Sequence, residues 1–105
     1  MVTERDKIIQ ELKDLIATLE KAGILIKRAY LFGSYARGTP KKWSDIDLLL
    51  VSDNFSGIRF YDIEKLIPLT RRFNSLIELH PFKTEDFNLK DLFIKEITET
   101  GIRIK

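Results

Sequence analysis

The chain has 105 residues, 44% of them hydrophobic, with 18 basic and 16 acidic side chains and a net charge of +2. This is enough apolar material for one small core and too much for a disordered segment, and the near-balanced charge, without a long basic run, argues against direct nucleic-acid binding. No cysteine and no His/Cys cluster is present, which excludes a thiol nucleophile and a zinc site, and the lack of cysteine fits a reducing cytoplasm; no leader pattern or membrane-length apolar run is visible.

Ile8, Leu12, Leu15, Ile16 and Leu19 keep a helical stripe, so residues 2–21 should form the first helix. Thr3 and Asp6 have capping-box spacing at its start, and Gly23 ends it. Residues 24–32 contain the first strand, which closes on Ala29-Tyr-Leu-Phe32. A short helix over residues 34–37 follows, stopped by Gly38 and Pro40. Residues 45–52 read as the second strand and 53–57 as a loop. Residues 60–73 read as a helix with Ile63, Leu66, Ile67 and Thr70 inward, and Pro68 predicts a kink or break in it. The third strand spans 76–82, and a turn or short helix follows at 84–87. The last helix covers 90–100, with Leu92, Phe93 and Ile97 in the core and Gly101 at its end. Residues 102–105 read as a frayed tail. The sum is a single α/β (α+β) domain over residues 1–105, a small mixed sheet of about three strands flanked by helices.

Chemistry concentrates between residues 31 and 51. Asp45-Ile46-Asp47 opens an apolar strand, and strand alternation points both acids to one side, their Cα atoms roughly 6.5–7 Å apart. Two carboxylates so placed can converge on one or two divalent ions, which in turn bridge phosphates. A bland reading is two solvated acids at a strand end. Ten residues earlier, Gly33-Ser34 occupies a strand-to-helix corner. Glycine there allows close backbone approach, and the free N–H groups of a helix start favour anions. Ser34 would serve equally as a plain N-cap. Arg37 can reach a phosphate or merely tether the loop. Lys41 and Lys42 can meet a triphosphate tail, or stay solvated.

Farther along, alternation puts Leu76, Glu78, His80 and Phe82 on one face and Ile77 and Leu79 on the other. A charged Glu78 between two apolar neighbours needs a partner, and a metal would supply one; the bland reading is an ion-paired surface residue on an edge strand. His80, the one histidine, stands beside Pro81 and reads as structural or solvent-facing. Trp43 and Tyr35 flank the motif and read as packing residues.

The combination Phe32-Gly-Ser-Tyr-Ala-Arg-Gly38 and Ser44-Asp-Ile-Asp-Leu-Leu-Leu-Val51 resembles the nucleotidyltransferase superfamily typified by DNA polymerase β, and within it the minimal nucleotidyltransferase (MNT) subgroup. The resemblance implies the polymerase β-like fold, with Asp45 and Asp47 as catalytic metal ligands. Gly33 and Ser34 would lie on the nucleotide phosphates, with Arg37, Lys42 and Ser44 near them. It also implies a third catalytic acid and metal ligand from a later strand, for which Glu78 is the candidate; relatives commonly carry Asp there. The implied cofactor is Mg²⁺, as two ions, and the implied substrate is ATP.

MNT proteins of this size resemble the antitoxin halves of toxin–antitoxin pairs. The implied activity is transfer of AMP to a tyrosine of a helical HEPN-type partner. Two other function classes stand beside it: a catalytically idle module that neutralises its partner by contact, and a transferase for a small molecule or RNA. The absence of an evident second domain and of a basic stripe speaks against the last.

Overall fold

The computed structural model describes residues 2–41 and 44–105. Helix α1 (Glu4–Lys21) begins at Thr3, whose hydroxyl accepts the Asp6 N–H while the Asp6 carboxylate accepts the Thr3 N–H, a complete capping box. Strand β1 (Arg28–Phe32) leads through Gly33 into the four-residue helix α2 (Ser34–Arg37), which Gly38 ends in the left-handed conformation. Strand β2 (Ile46–Ser52) is followed by α3 (Arg59–Thr70), β3 (Ile77–Lys83), a 3-10 turn (Thr84–Asp86), α4 (Leu92–Thr100) and β4 (Ile102–Arg103). Among the described residues no helix is long and apolar enough to cross a membrane.

The sheet is mixed, with strand order β3-β2-β1-β4. β1 and β2 are antiparallel, from Arg28↔Val51 to Phe32↔Asp47. β2 and β3 are parallel, from Ile46↔Ile77 to Ser52↔Lys83, so α3 is the crossover that a parallel pair requires. Ile46, Leu48 and Leu50 of β2 face α1 and α3 and build the main core with Leu12, Leu15, Leu19 and Leu66. Leu49 and Val51 face the other way and meet Tyr30, Ile94 and Ile97 under α4. Both faces of β2 are therefore covered, as its near-continuous apolar run demands.

Four expectations need correction. The inward stripe of α3 is Asp62, Leu66 and the half-buried Leu69, so Ile67 lies on the outer side at 47% exposure, with Ile63 and Thr70 only half-buried. The helix also runs past Pro68 to Thr70 without a break. Pro68 and Glu64, whose carbonyl would have received the missing N–H, both face solvent, which can take the bond instead.

In α4 the buried pair is Ile94 and Ile97, spaced three apart on one face. Leu92 opens the helix at 80% exposure, and Phe93 is 43% exposed, resting edge-on against Phe32. Finally, residues 102–105 are not a frayed tail. Ile102 pairs with Leu31 and Arg103 with Tyr30, covering an edge of β1 that would otherwise lie open. Gly101 permits this return: a Cβ there would stand 2.5 Å from the Ile97 carbonyl oxygen and 2.9 Å from that of Leu31.

Candidate active site

The end of β1 and the start of β2 lie side by side because Phe32 pairs with Asp47. One residue beyond Phe32, Gly33 turns the chain with φ 80° and ψ −153°, a conformation that side chains disfavour. A Cβ at Gly33 would fall 2.6 Å from Asp47 Oδ2. The glycine is thus required both by its backbone angle and by the carboxylate beneath it. The four-residue α2 then starts directly above Asp47, and its first N–H groups have no carbonyl earlier in the helix to bond.

Parallel register sets Glu78 beside Asp47, and His80 follows two residues later on the same face. One ligand atom each from Asp47, Glu78 and His80 lies within 4.8 Å of the other two. The His80 ring nitrogen Nε2 is 3.1 Å from Asp47 Oδ1, and the ring leans edge-on against Phe32, with 4.9 Å between ring centres. Asp47 and His80 are largely shielded, at 22% and 17% side-chain exposure, whereas Glu78 is half exposed.

On the outer side, Arg59 Nη2 stands 3.6 Å from Glu78 Oε1. Arg59 is held there by the loop before α3. The buried Asp62 carboxylate accepts the Ser56 N–H at 2.8 Å, the Ser56 hydroxyl at 2.9 Å and the Gly57 N–H at 3.1 Å. Two carboxylates and an imidazole converging at the mouth of a sheet suit a divalent cation in donor type and spacing.

The other expected residues are arranged around this group. Asp45 sits exposed just before β2 and is not part of the three-residue cluster. The Ser44 hydroxyl, one residue ahead of Asp45, accepts the Lys41 N–H at 2.7 Å. Ser34 is half-buried at the head of α2, and Tyr35 packs against the main core, as expected of it. Arg37 is exposed and, with Gly33 and Asp47, borders a cleft of about 230 Å³ whose far wall is Phe93, Glu96 and Thr100 of α4. Lys42 and Trp43 lie outside the described residues.

From the sequence His80 reads as structural or solvent-facing, whereas it belongs to the cluster, and Arg59 was not singled out. The signal for His80 was present: it shares a face with Glu78, and a parallel partner strand would carry both to Asp47. For Arg59 no signal existed, since its approach depends on a loop folded around Asp62.

The nucleotidyltransferase domain family model matches residues 5–104. A curated protein of Methanocaldococcus jannaschii, provisionally assigned as a protein adenylyltransferase, is 29% identical over 100 residues, spanning 93% of this chain and 96% of that one. Two solved structures share the fold. A nucleotidyltransferase-type protein from Sulfolobus solfataricus superposes with a TM-score of 0.64 at 18% identity, over 94% of this chain and 80% of its own. A toxin–antitoxin structure determined with AMP-PNP superposes with a TM-score of 0.59 at 22% identity, over 98% of this chain and 73% of its own. The family match takes in every strand and helix that shapes the site except the first residue of α1, and on that ground the chain belongs to the nucleotidyltransferase domain family, whose members are enzymes.

Proposed function

We propose that this nucleotidyltransferase moves AMP from ATP onto a tyrosine hydroxyl of a HEPN-type protein and thereby acts as that protein's antitoxin in the cytoplasm. The carrying observation is the convergence of Asp47, Glu78 and His80 beneath the Gly33 corner. Support comes also from the Methanocaldococcus relative, assigned to protein adenylylation, and from the toxin–antitoxin neighbour with its ATP analogue. The acceptor protein brings its own hydroxyl to the site.

Asp45, Asp47 and Glu78 are the residues that would hold Mg²⁺, with Asp45 joining from the exposed chain ahead of β2. Bound there, such ions would neutralise phosphate charge and stabilise the oxygen that leaves. The Gly33 and Ser34 N–H groups and the Ser34 hydroxyl receive the outer phosphates, with Arg37 and Ser44 bordering them. The acceptor oxygen attacks the α-phosphorus, the bond from that phosphorus to the β-phosphate oxygen breaks, and pyrophosphate departs. Glu78 helps to hold a second ion or takes the hydroxyl proton at its carboxylate, with Arg59 beside it. Positioning and electrostatics supply most of the acceleration.

The test is transfer of α-³²P label from ATP with Mg²⁺ onto a co-purified HEPN-type partner, comparing the natural protein with the Asp45→Asn/Asp47→Asn variant. Label on the partner with the natural protein alone is the expected result. An unlabelled partner in an intact complex would replace this reading with neutralisation by contact.

A further inference from the structure

We propose that His80 is itself a metal ligand, so that the site prefers a first-row transition ion such as Mn²⁺ or Co²⁺ to Mg²⁺. This deepens the metal-dependent reading above and rests on it. His80 Nε2 lies 3.1 Å from Asp47 Oδ1. A carboxylate oxygen only accepts, so this spacing serves either an Nε2–H donated to Asp47 or a metal ion bound to both atoms.

The geometry accommodates the metal. Donors in adjacent positions about one ion, with bonds of about 2.0–2.2 Å, stand about 3 Å apart. Glu78 completes a set of two oxygens and one nitrogen whose atoms all lie within 4.8 Å of one another. The ring is fixed in place by its edge contact with Phe32 and by burial, so little freedom is lost when it binds. Two carboxylates alone would suit Mg²⁺, but an imidazole nitrogen adds affinity for transition ions and little for Mg²⁺.

The chain holds one histidine, which makes the assignment direct. Tag-free full-length protein is loaded with Mn²⁺ and inorganic tripolyphosphate, which carries no nitrogen, and pulsed electron paramagnetic resonance reads the nitrogen coupled to the ion. An imidazole nitrogen signal that changes when the protein is made with ¹⁵N-histidine is expected. In His80→Asn, Mn²⁺ affinity should fall about tenfold or more while Mg²⁺ affinity moves far less.

Bound Mn²⁺ without histidine coupling would overturn the assignment and leave the transferase reading standing. Equal loss of both ions in His80→Asn would overturn it too, because His80 would then only orient Asp47. Failure to bind Mn²⁺ at any site abolished by Asp47→Asn would overturn both readings. The isotope comparison needs no variant, so a misfolded His80→Asn would not spare the proposal.

Discussion

The two faces of the sheet are built from the same strands and are used differently. On the side of α1 and α3 the apolar layer runs the whole length of β2, with Ile46, Leu48 and Leu50 all fully buried. On the side of α4 it stops short. Val51 and Leu49 are buried under Ile94 and Ile97, but the next residue on that face is Asp47, and its neighbours in β3 are Glu78 and His80. A helix of nine residues covers only part of that face and leaves the end open. A complete core can be dry and carry no chemistry; an incomplete one leaves room for polar groups that are shielded yet reachable.

That contrast can be broken most directly at Asp47. Asp47→Asn keeps the shape and removes the charge, so transfer should fall on the order of 10³-fold or more while the thermal midpoint barely moves. A variant that transferred label at the natural rate would show that the open end of this face is not the site of chemistry.

On the closed face, Leu12→Ala should cost about 3 kcal/mol in urea unfolding, since Leu12 is fully buried between helix and sheet. Transfer per folded molecule should be unchanged. A loss of activity disproportionate to the loss of folded protein would mean that the two faces are coupled.

Gly33→Ala sits on the boundary between them. The new methyl meets Asp47 Oδ2 and a backbone angle that alanine disfavours, so a stability loss of about 1–3 kcal/mol should come with a sharp drop in transfer. Retained activity with a normal melting curve would contradict the close approach of this corner to Asp47.

The smallest effects belong far from the site, at the start of α1. Thr3→Ala should cost about 1 kcal/mol in chemical unfolding and leave transfer untouched. The Thr3 backbone N–H, and next its hydroxyl, hold the Asp6 carboxyl below its ordinary value. A lowered folded-state value means that Asp6 stabilises above the usual carboxylate range and loses that contribution as pH falls through its lowered value. Asp6→Asn should therefore flatten the acid side of the stability curve; an unchanged acid limb would show that this cap contributes nothing to it.

Much of the fold was legible because local rules agree with one another here. The stripe Ile8, Leu12, Leu15, Ile16 and Leu19, the Thr3/Asp6 spacing and the glycines at 33, 38 and 101 each speak for themselves, and α1, α2 and the three longer strands lie within a residue or two of where those signals put them. The errors came where two neighbouring apolar stripes were available. In α3 and α4 the helix could turn either stripe inward. Asp62 locked to the Ser56–Gly57 loop and Asp91 capping at Phe93 decided which. The strand at 102–103 was illegible for another reason: two residues carry no periodicity, and only the exposed edge of β1 gave them a partner.

By itself the amino-acid sequence determined that residues 33–47 hold a phosphate-type corner followed by an acidic strand head, and that Glu78 and His80 share a face, since alternation along a strand is a property of the backbone. It could not determine that β3 lies parallel to β2 in the register that sets Glu78 beside Asp47, that His80 then reaches the same carboxylate, or that Arg59 closes on Glu78. Those relations join residues more than ten positions apart, up to 33 in the case of Asp47 and His80. Register between strands is set by which apolar faces can be buried together, and that is decided only when the whole domain packs.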